Sequence, residues 1–135
     1  MITTFYNLFI TAYGLAIKLA AQWNPKAKQW INGRKGVFEK LREHLQKLPD
    51  DNRSTVWMHC ASLGEFEQGR PVLERLRNKY PQSKVVLTFF SPSGYEIRKN
   101  YKGADMVLYL PLDTPSNARK FIQYINPSLV LWVRY

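Results

Sequence analysis

The sequence predicts an α/β fold: a parallel sheet covered by helices, preceded by one apolar helix. Four short apolar runs, the first at Thr55–Cys60 and the last at Leu129–Val133, have the length and composition of buried strands. Segments with helical periodicity separate the runs, and such alternation favours parallel strands joined by right-handed crossovers. Because the runs are apolar on both faces, we predict a Rossmann-like sheet with helices on both sides.

The composition limits the classes of protein and site. The chain has 135 residues, which suits one domain, and 45% of them are hydrophobic, as in a protein with a packed core. Cys60 is the only cysteine, so an internal disulfide and a cysteine metal cluster are excluded. His44 and His59 are too few for a histidine metal site without carboxylate ligands. We therefore expect no metal and no cofactor.

The net charge predicts an anionic partner. Twenty basic residues stand against 10 acidic ones, which leaves a formal charge of +10. Anionic lipid, a phosphorylated substrate and nucleic acid all attract such a chain. No nucleic-acid recognition motif is visible, and much of the charge lies beside an apolar segment. We therefore expect an anionic membrane surface and no nucleic acid.

Residues 1–23 predict a membrane-anchoring helix. Lys18 is the only charged side chain from Ile2 to Trp23, and a helix of that length measures about 30 Å, enough to cross a bilayer core. Asn7 and Gly14 weaken it as a spanning segment, so a helix lying in the interface stays open. A cleaved signal peptide and a buried core helix are the remaining alternatives.

Residues 24–52 predict a basic helical linker. Tryptophans and lysines at its start are typical of a cytoplasmic membrane boundary, and the predicted membrane contacts are Trp23, Lys26, Lys28 and Trp30. A helix is predicted over 37–48, because one side of it is apolar: Val37, Leu41, Leu45 and Leu48. A loop at 49–52 ends this region.

Residues 53–135 form the predicted α/β domain. The predicted strands are 55–60, 84–90, 106–110 and 129–133. The predicted helices are 64–80, 93–101 and 115–125. In the first of these helices, the predicted buried side is Phe66, Val72, Leu73 and Leu76.

Three loops that follow the predicted strands are candidates for a ligand site, because ligands of open α/β sheets bind beyond the carboxyl ends of the strands. Each loop leads into a helix N-terminus, which favours a phosphate or a carboxylate. The nucleotide fingerprints GxGxxG and GxxxxGK[ST] are absent from the sequence. The predicted substrate contacts are Ser62, Gly64, Ser91, Ser93 and Gly94.

Glu65 has two interpretations. With Ser62 it matches a capping box, in which its carboxylate bonds the Ser62 N–H, and on spacing alone this role is the commoner one. Alternatively, the carboxylate accepts a proton from a substrate hydroxyl. Gly64 favours the second role, since it weakens a helix by about 1 kcal/mol but lets a ligand approach the backbone. Ser93 and Glu96 match a second capping box, and His59 is expected to be a core or loop-orienting histidine.

Three segments together carry a family resemblance. They are HCASLGEFEQGRP at 59–71, LTFFSPSGYE at 87–96, and DMVLYLPLD at 105–113 followed by Asn117. In this order they resemble the 3-deoxy-D-manno-octulosonic acid (Kdo) transferases, which build the inner core of lipopolysaccharide. The apolar N-terminal segment with its basic flank is similar in kind.

The resemblance implies the N-terminal, acceptor-binding domain of a GT-B glycosyltransferase. Its partners are a lipid A precursor as acceptor and CMP-Kdo as donor, at the cytoplasmic face of the inner membrane. Glu65 matches the catalytic base of an inverting, metal-independent transfer. The family continues beyond the point where this sequence stops, so we expect the donor domain to be absent and the fragment to be inactive alone. The alternative is a non-enzymatic, membrane-associated α/β module that recognises anionic lipid.

Overall fold

The computed structural model describes residues 1–134, which form six helices and four strands. The helices are α1 (Ile2–Ala20), α2 (Pro25–Arg34), α3 (Val37–Lys47), α4 (Leu63–Lys79), α5 (Pro92–Arg98) and α6 (Pro115–Ile125). The strands are β1 (Thr55–Cys60), β2 (Lys84–Phe89), β3 (Met106–Tyr109) and β4 (Leu129–Val133). The predicted α/β fold is confirmed, and most predicted boundaries agree with the observed ones within a few residues.

The sheet is parallel throughout and has the order β3-β2-β1-β4. Thr55 of β1 pairs with Lys84 of β2, and on the other side Val56 pairs with Leu129 of β4. The chain therefore runs outward from β1 to β3 and then returns to the opposite side of β1. This reversal creates a crevice at the carboxyl ends of β1 and β4, where open α/β sheets bind ligands.

Helices cover both faces of the sheet. On one face, Met58 and Leu87 pack with Phe66 and Leu73 of α4. On the other face, a cluster joins the sheet to α3 and α6; its buried members are Val37, Leu41, Trp57, Val86, Met106, Leu108, Phe121 and Ile125. The predicted helix at 37–48 is thus confirmed as α3, and its apolar side lies against the sheet.

One predicted buried residue of α4 is wrong. Val72 is 52% exposed, whereas Phe66, Gly69 and Leu73 are buried. A Cβ atom at position 69 would lie 2.8 Å from Val133 Cγ2, so the helix approaches β4 through a glycine. Phe66, Gly69 and Leu73 follow one another at spacings of three and four residues, so they lie on one face of the helix. Val72 lies beside that face.

Strand β4 is less covered than the other three strands of the sheet. Leu129, Val130 and Trp132 are 41%, 43% and 54% exposed, while Leu131 and Val133 pack against the core. The strand lies at the edge of the described sheet. One of its faces contacts α4, and on the other Trp132 contacts the rings of Trp57 and His59 but stays largely exposed.

The predicted N-terminal helix is confirmed as α1, and among its residues Gly14 alone is buried. Within residues 1–134, α1 is the one helix whose length and composition suffice to cross a membrane. Its large apolar side chains are mostly exposed; they include Phe5, Leu8, Phe9, Leu15 and Leu19. In the described chain, α1 is therefore not a buried core helix.

Candidate functional site

A cavity of about 730 Å³ lies at the carboxyl ends of β1 and β4, and we call it the sheet-end cavity. Its inner part comes from β1 and the residue after it, its roof from α1, and its walls from α6, β4 and the loop after β3. Its lining includes Tyr6, Tyr13, Trp57, His59, Ala61, Glu65, Phe90, Asp113, Phe121 and Trp132. The lining is mainly aromatic and aliphatic, and Glu65 is one of two carboxylates in it.

Glu65 occupies the third position of α4, where the helix begins beside β1. Ser62 caps the helix, since its Oγ accepts a hydrogen bond from the Glu65 N–H at 3.5 Å. The second half of the predicted capping box differs: Glu65 Oε2 accepts a short bond from the Ala61 N–H rather than from Ser62. In the described part of the chain, Oε1 has no hydrogen-bond donor. One oxygen is thus held by the backbone, and the other is available to a ligand in the cavity.

Gly64, just before Glu65, is exposed and has room for a side chain. A Cβ atom there would have Ser62 Oγ as its nearest neighbour, at 3.9 Å. Packing within the described residues therefore does not require glycine at this position. Close approach of a ligand stays the prediction for Gly64.

The loop after β2 does not contribute its predicted contacts to the sheet-end cavity. Ser91 and Ser93 lie 2.7 Å apart through their hydroxyl oxygens. Gly94 is buried, and a Cβ atom there would clash with the ring of Phe89, so packing of α5 on β2 accounts for this glycine. The five predicted substrate contacts all lie outside the cavity lining. A role for them in binding stays a prediction.

The second predicted capping box, Ser93 with Glu96, is wrong. Helix α5 begins one residue earlier than predicted, at Pro92, and Ser91 is its N-cap residue. Glu96 instead accepts hydrogen bonds from Lys99 Nζ at 3.0 Å and from the Tyr109 hydroxyl at 3.3 Å. Proline at the first helical position, with its fixed φ, shifts the start of the helix.

His59 is a core histidine, as predicted. It is 4% exposed, and its Nδ1 lies 2.9 Å from Thr88 Oγ1, which also accepts a bond from Trp57 Nε1. Because the indole can only donate, the Thr88 hydroxyl is free to donate its own proton to His59. Burial, reinforced by the charge of Arg34, lowers the pKa of His59 to about 4. The imidazole is therefore neutral at pH 7.

Tyr6 and Asp113 connect α1 to the loop after β3 at the cavity, and the sequence pattern did not identify this pair. The Tyr6 hydroxyl of α1 donates to the Asp113 carboxylate, in the loop between β3 and α6. Asn117 Nδ2 stabilises the same loop by donating to the Leu112 carbonyl at 2.9 Å. The available signal was one of two tyrosine hydroxyls in an apolar run, which does not indicate a partner 107 positions away.

Arg34 was predicted only as part of the basic flank, but it is half-buried at the end of α2. Its Nη2 donates to the Phe90 carbonyl at 2.8 Å, and its guanidinium carbon lies 3.7 Å above the centre of the Trp30 ring. Burial lowers the pKa of Arg34 to about 10, so the side chain stays charged at neutral pH.

The predicted membrane contacts separate into two groups. Trp23 is 79% exposed, and Lys26 and Lys28 are exposed as well. Trp30 is only 8% exposed, with its ring edge-to-face against Tyr13 and Phe90. The assignment of Trp30 to a membrane surface therefore needs correction, because its ring packs α2 against α1 and the loop after β2.

Among residues 1–134, no three side chains of His, Cys, Asp or Glu come together in a geometry that could hold a metal ion. The Cys60 thiol is buried beside Glu65, and burial raises its pKa to about 12. That thiol is therefore a poor nucleophile at neutral pH.

Comparison with known proteins gives one consistent family. Residues 35–135 match the family described as 3-Deoxy-D-manno-octulosonic-acid transferase (kdotransferase). A 3-deoxy-D-manno-octulosonic acid transferase of Aquifex aeolicus is 32% identical over 98 residues, covering 71% of this chain and 27% of the relative. One of Haemophilus influenzae is 31% identical over 77 residues, covering 56% and 18%. One of Chlamydia trachomatis serovar D is 30% identical over 79 residues, covering 57% and 18%. The chain thus spans between 18% and 27% of the length of these relatives.

Proposed function

We propose that this chain, which belongs to the 3-deoxy-D-manno-octulosonic acid transferase family, forms the acceptor-binding part of a Kdo-transferring enzyme. The reaction moves Kdo from CMP-Kdo to a lipid A precursor in lipopolysaccharide core biosynthesis. The observation that carries the proposal is the position of Glu65: its carboxylate lines an apolar cavity at the reversal point of the sheet.

In the proposed mechanism, Glu65 is the general base. Its Oε1 accepts the proton of an acceptor sugar hydroxyl, while the Ala61 N–H holds Oε2 in place. The deprotonated oxygen attacks the anomeric carbon of Kdo, the bond to CMP breaks, and the configuration inverts. A positioned base accelerates such a reaction roughly 10²–10⁴-fold.

The proposed location is the cytoplasmic face of the inner membrane. The apolar side chains of α1 are exposed, and Trp23, Lys26 and Lys28 follow them at the surface. Exposed aromatic and cationic residues beside an apolar helix favour an anionic lipid surface. A glycolipid acceptor embedded in that surface would then lie close to the sheet-end cavity, which α1 roofs.

The exposed α1 and its cationic flank also support a second candidate function. A module with these features would bind anionic lipid without catalysing any reaction. The two candidates differ in what they require of Glu65, since lipid binding does not need a base in the cavity.

A transfer assay separates the two functions. We would join residues 1–135 to the remaining part of the Aquifex aeolicus relative and supply CMP-Kdo and a lipid A precursor. The Glu65→Gln variant keeps an oxygen that accepts the Ala61 N–H bond but cannot take up a proton. We expect it to lose at least about 10²-fold in rate with its stability nearly unchanged.

The matched control is Glu74→Gln, an exposed carboxylate on the same helix and remote from the cavity. We expect this variant to transfer Kdo as the unsubstituted chimaera does. A folded chimaera that binds lipid but transfers nothing would instead support the binding module. Full activity of Glu65→Gln would show that Glu65 is a helix cap and not the base.

A further inference from the structure

Arg34 is a half-buried cation whose partners are backbone carbonyls and aromatic rings. Within residues 1–134 it has no carboxylate within salt-bridge distance, and its Nε has no hydrogen-bond partner. It donates to the carbonyls of Trp30 at 3.2 Å and of Phe90 at 2.8 Å. Removing a charged group from water is costly unless it is well paired, so the two carbonyls and the aromatic rings must offset that cost.

The carbonyl of Phe90 belongs to a peptide group that also bonds the segment after β1. Its oxygen accepts from Arg34, and its nitrogen, that of Ser91, donates to the Ala61 carbonyl at 2.9 Å. A cation on the carbonyl side polarises the peptide group and strengthens the donor on its other side. Arg34 therefore stabilises the contact between the ends of β1 and β2.

The peptide group between Cys60 and Ala61 bonds both Phe90 and Glu65. The Cys60 carbonyl accepts from the Phe90 N–H at 3.3 Å, and the N–H of the same peptide group, that of Ala61, donates to the Glu65 carboxylate. Phe90 thus lies between Arg34 on one side and the group that holds Glu65 on the other. The orientation of the Ala61 N–H depends on where Phe90 is held.

We infer that Arg34 is a positioning residue for Glu65: by fixing the Phe90 carbonyl, it orients the peptide group whose N–H holds the carboxylate in the cavity. Arg34 does not line the cavity and touches no reacting atom. The inference rests on the proposed role of Glu65 as base.

The same contacts connect Glu65 to the N-terminal helices. Arg34 ends α2, and the rings of Tyr13 in α1 and Trp30 in α2 pack on Phe90. The geometry of the Ala61–Glu65 bond therefore depends on α1 and α2 being docked on the domain. Residues 24–52 act as part of the site's support and not only as a linker.

The test is made first on the full chain by NMR, without donor or acceptor. The amide proton of Ala61 reports its bond to Glu65, and the shift change caused by Glu65→Ala sets the scale. In Arg34→Met we expect the Ala61 resonance to move in the same direction and its hydrogen exchange to accelerate roughly tenfold, a local loss of about 1.4 kcal/mol. Arg42→Met, at an exposed arginine of α3, should leave the Ala61 amide unchanged.

Arg34→Lys covers the case in which the methionine variant does not fold. A lysine keeps the charge but lacks the planar fork that reaches both carbonyls, so we expect a smaller displacement of Ala61 in the same direction. An unmoved Ala61 amide in a folded Arg34 variant overturns the inference.

Kinetics of the chimaera give the second readout. A positioning role predicts that Arg34→Lys lowers kcat severalfold while the KM for the acceptor stays nearly constant. An unchanged kcat beside a displaced Ala61 amide also overturns the inference. An inactive unsubstituted chimaera would contradict the proposed function instead, and the amide measurement would still decide whether Arg34 orients Glu65.

Discussion

Gly64 and Gly94 follow β1 and β2 near the starts of two helices, yet different contacts surround them. Gly94 faces the ring of Phe89 and has no space for a Cβ atom. Gly64 has space, and its φ is not in the left-handed region, so neither packing nor backbone conformation requires glycine there. The approach of a ligand to the start of α4 stays the prediction for Gly64.

Substitution of Gly64 by alanine tests that explanation. We expect Gly64→Ala to raise the free energy of unfolding by about 0.5–1 kcal/mol, because alanine loses less conformational freedom on folding. We expect the same variant to transfer Kdo more slowly in the chimaera, because the methyl group narrows the approach to Glu65. Denaturant unfolding and the transfer assay measure the two effects.

Gly69→Ala is the control, since its Cβ atom would lie 2.8 Å from Val133 Cγ2 and should lower stability. Gly64→Ala with wild-type transfer rates would show that no ligand passes near this glycine.

His59 makes stability depend on pH. Its pKa is about 4 in the folded protein and 6.5 in the unfolded reference, so the unfolded chain binds more protons between these values. Its stabilising contribution is present above pH 6.5 and is lost as the pH falls toward 4. From about pH 7.5 to about pH 5 we expect a loss of about 2 kcal/mol from this residue.

Denaturant unfolding at the two pH values checks this expectation. The His59→Gln variant has no titrating group at this position, so it should not show this loss of stability at low pH. His44→Gln, on the surface helix α3, should retain it. Equal losses in the parent chain and in His59→Gln would show that other groups cause the pH dependence.

At the scale of elements, local signals in the sequence predicted most boundaries. Helix α6 has Thr114 as its cap, proline at its first position and Asn126 with a φ of 40° at its end, and its predicted range agrees with the observed one. The strands β1 and β4 also match, because charged or turn-forming residues flank their apolar runs. Signals that lie within a few residues of an element suffice to place its ends.

Faces of elements were harder to predict than their ends. In α4 the adjacent residues Val72 and Leu73 are both apolar, and only the packing of the helix against the sheet decides that Leu73 is inside. Trp30 was similarly ambiguous, since tryptophan suits both a membrane boundary and a buried contact. The ring of Trp30 is buried against Phe90, which is distant in sequence.

The candidate site was predictable only in part, for the same reason. Glu65 was identified because it stands at a helix start soon after a strand, in a segment with a recognisable pattern. Arg34 was not distinguished from the other basic residues, because its partner carbonyl is 56 positions away. A carbonyl is also present at every residue, so no side-chain pattern marks the one that binds Arg34.

For the whole molecule, the charge and the exposed helix predict two separable contributions to membrane binding. The net charge of +10 attracts anionic lipid, and this attraction weakens as salt shortens the screening length. In the proposed anchor role, the exposed apolar side chains of α1 are expected to bind lipid through burial, which salt does not weaken. We therefore expect the full chain to float with anionic vesicles at both about 0.1 M and about 1 M salt, and more completely at the lower concentration.

Two variants separate the contributions in that flotation experiment. A chain without residues 1–23 should keep weak binding to anionic vesicles at low salt and lose it at high salt. The double variant Lys26→Gln, Lys28→Gln should lose up to about 2 kcal/mol of binding at low salt, at about 1 kcal/mol per lysine, and bind normally at high salt. Far-UV circular dichroism would check that each variant is folded. Undiminished flotation of the shortened chain at high salt would contradict the assignment of α1 as the anchor and point to another apolar surface, such as the exposed side chains of β4.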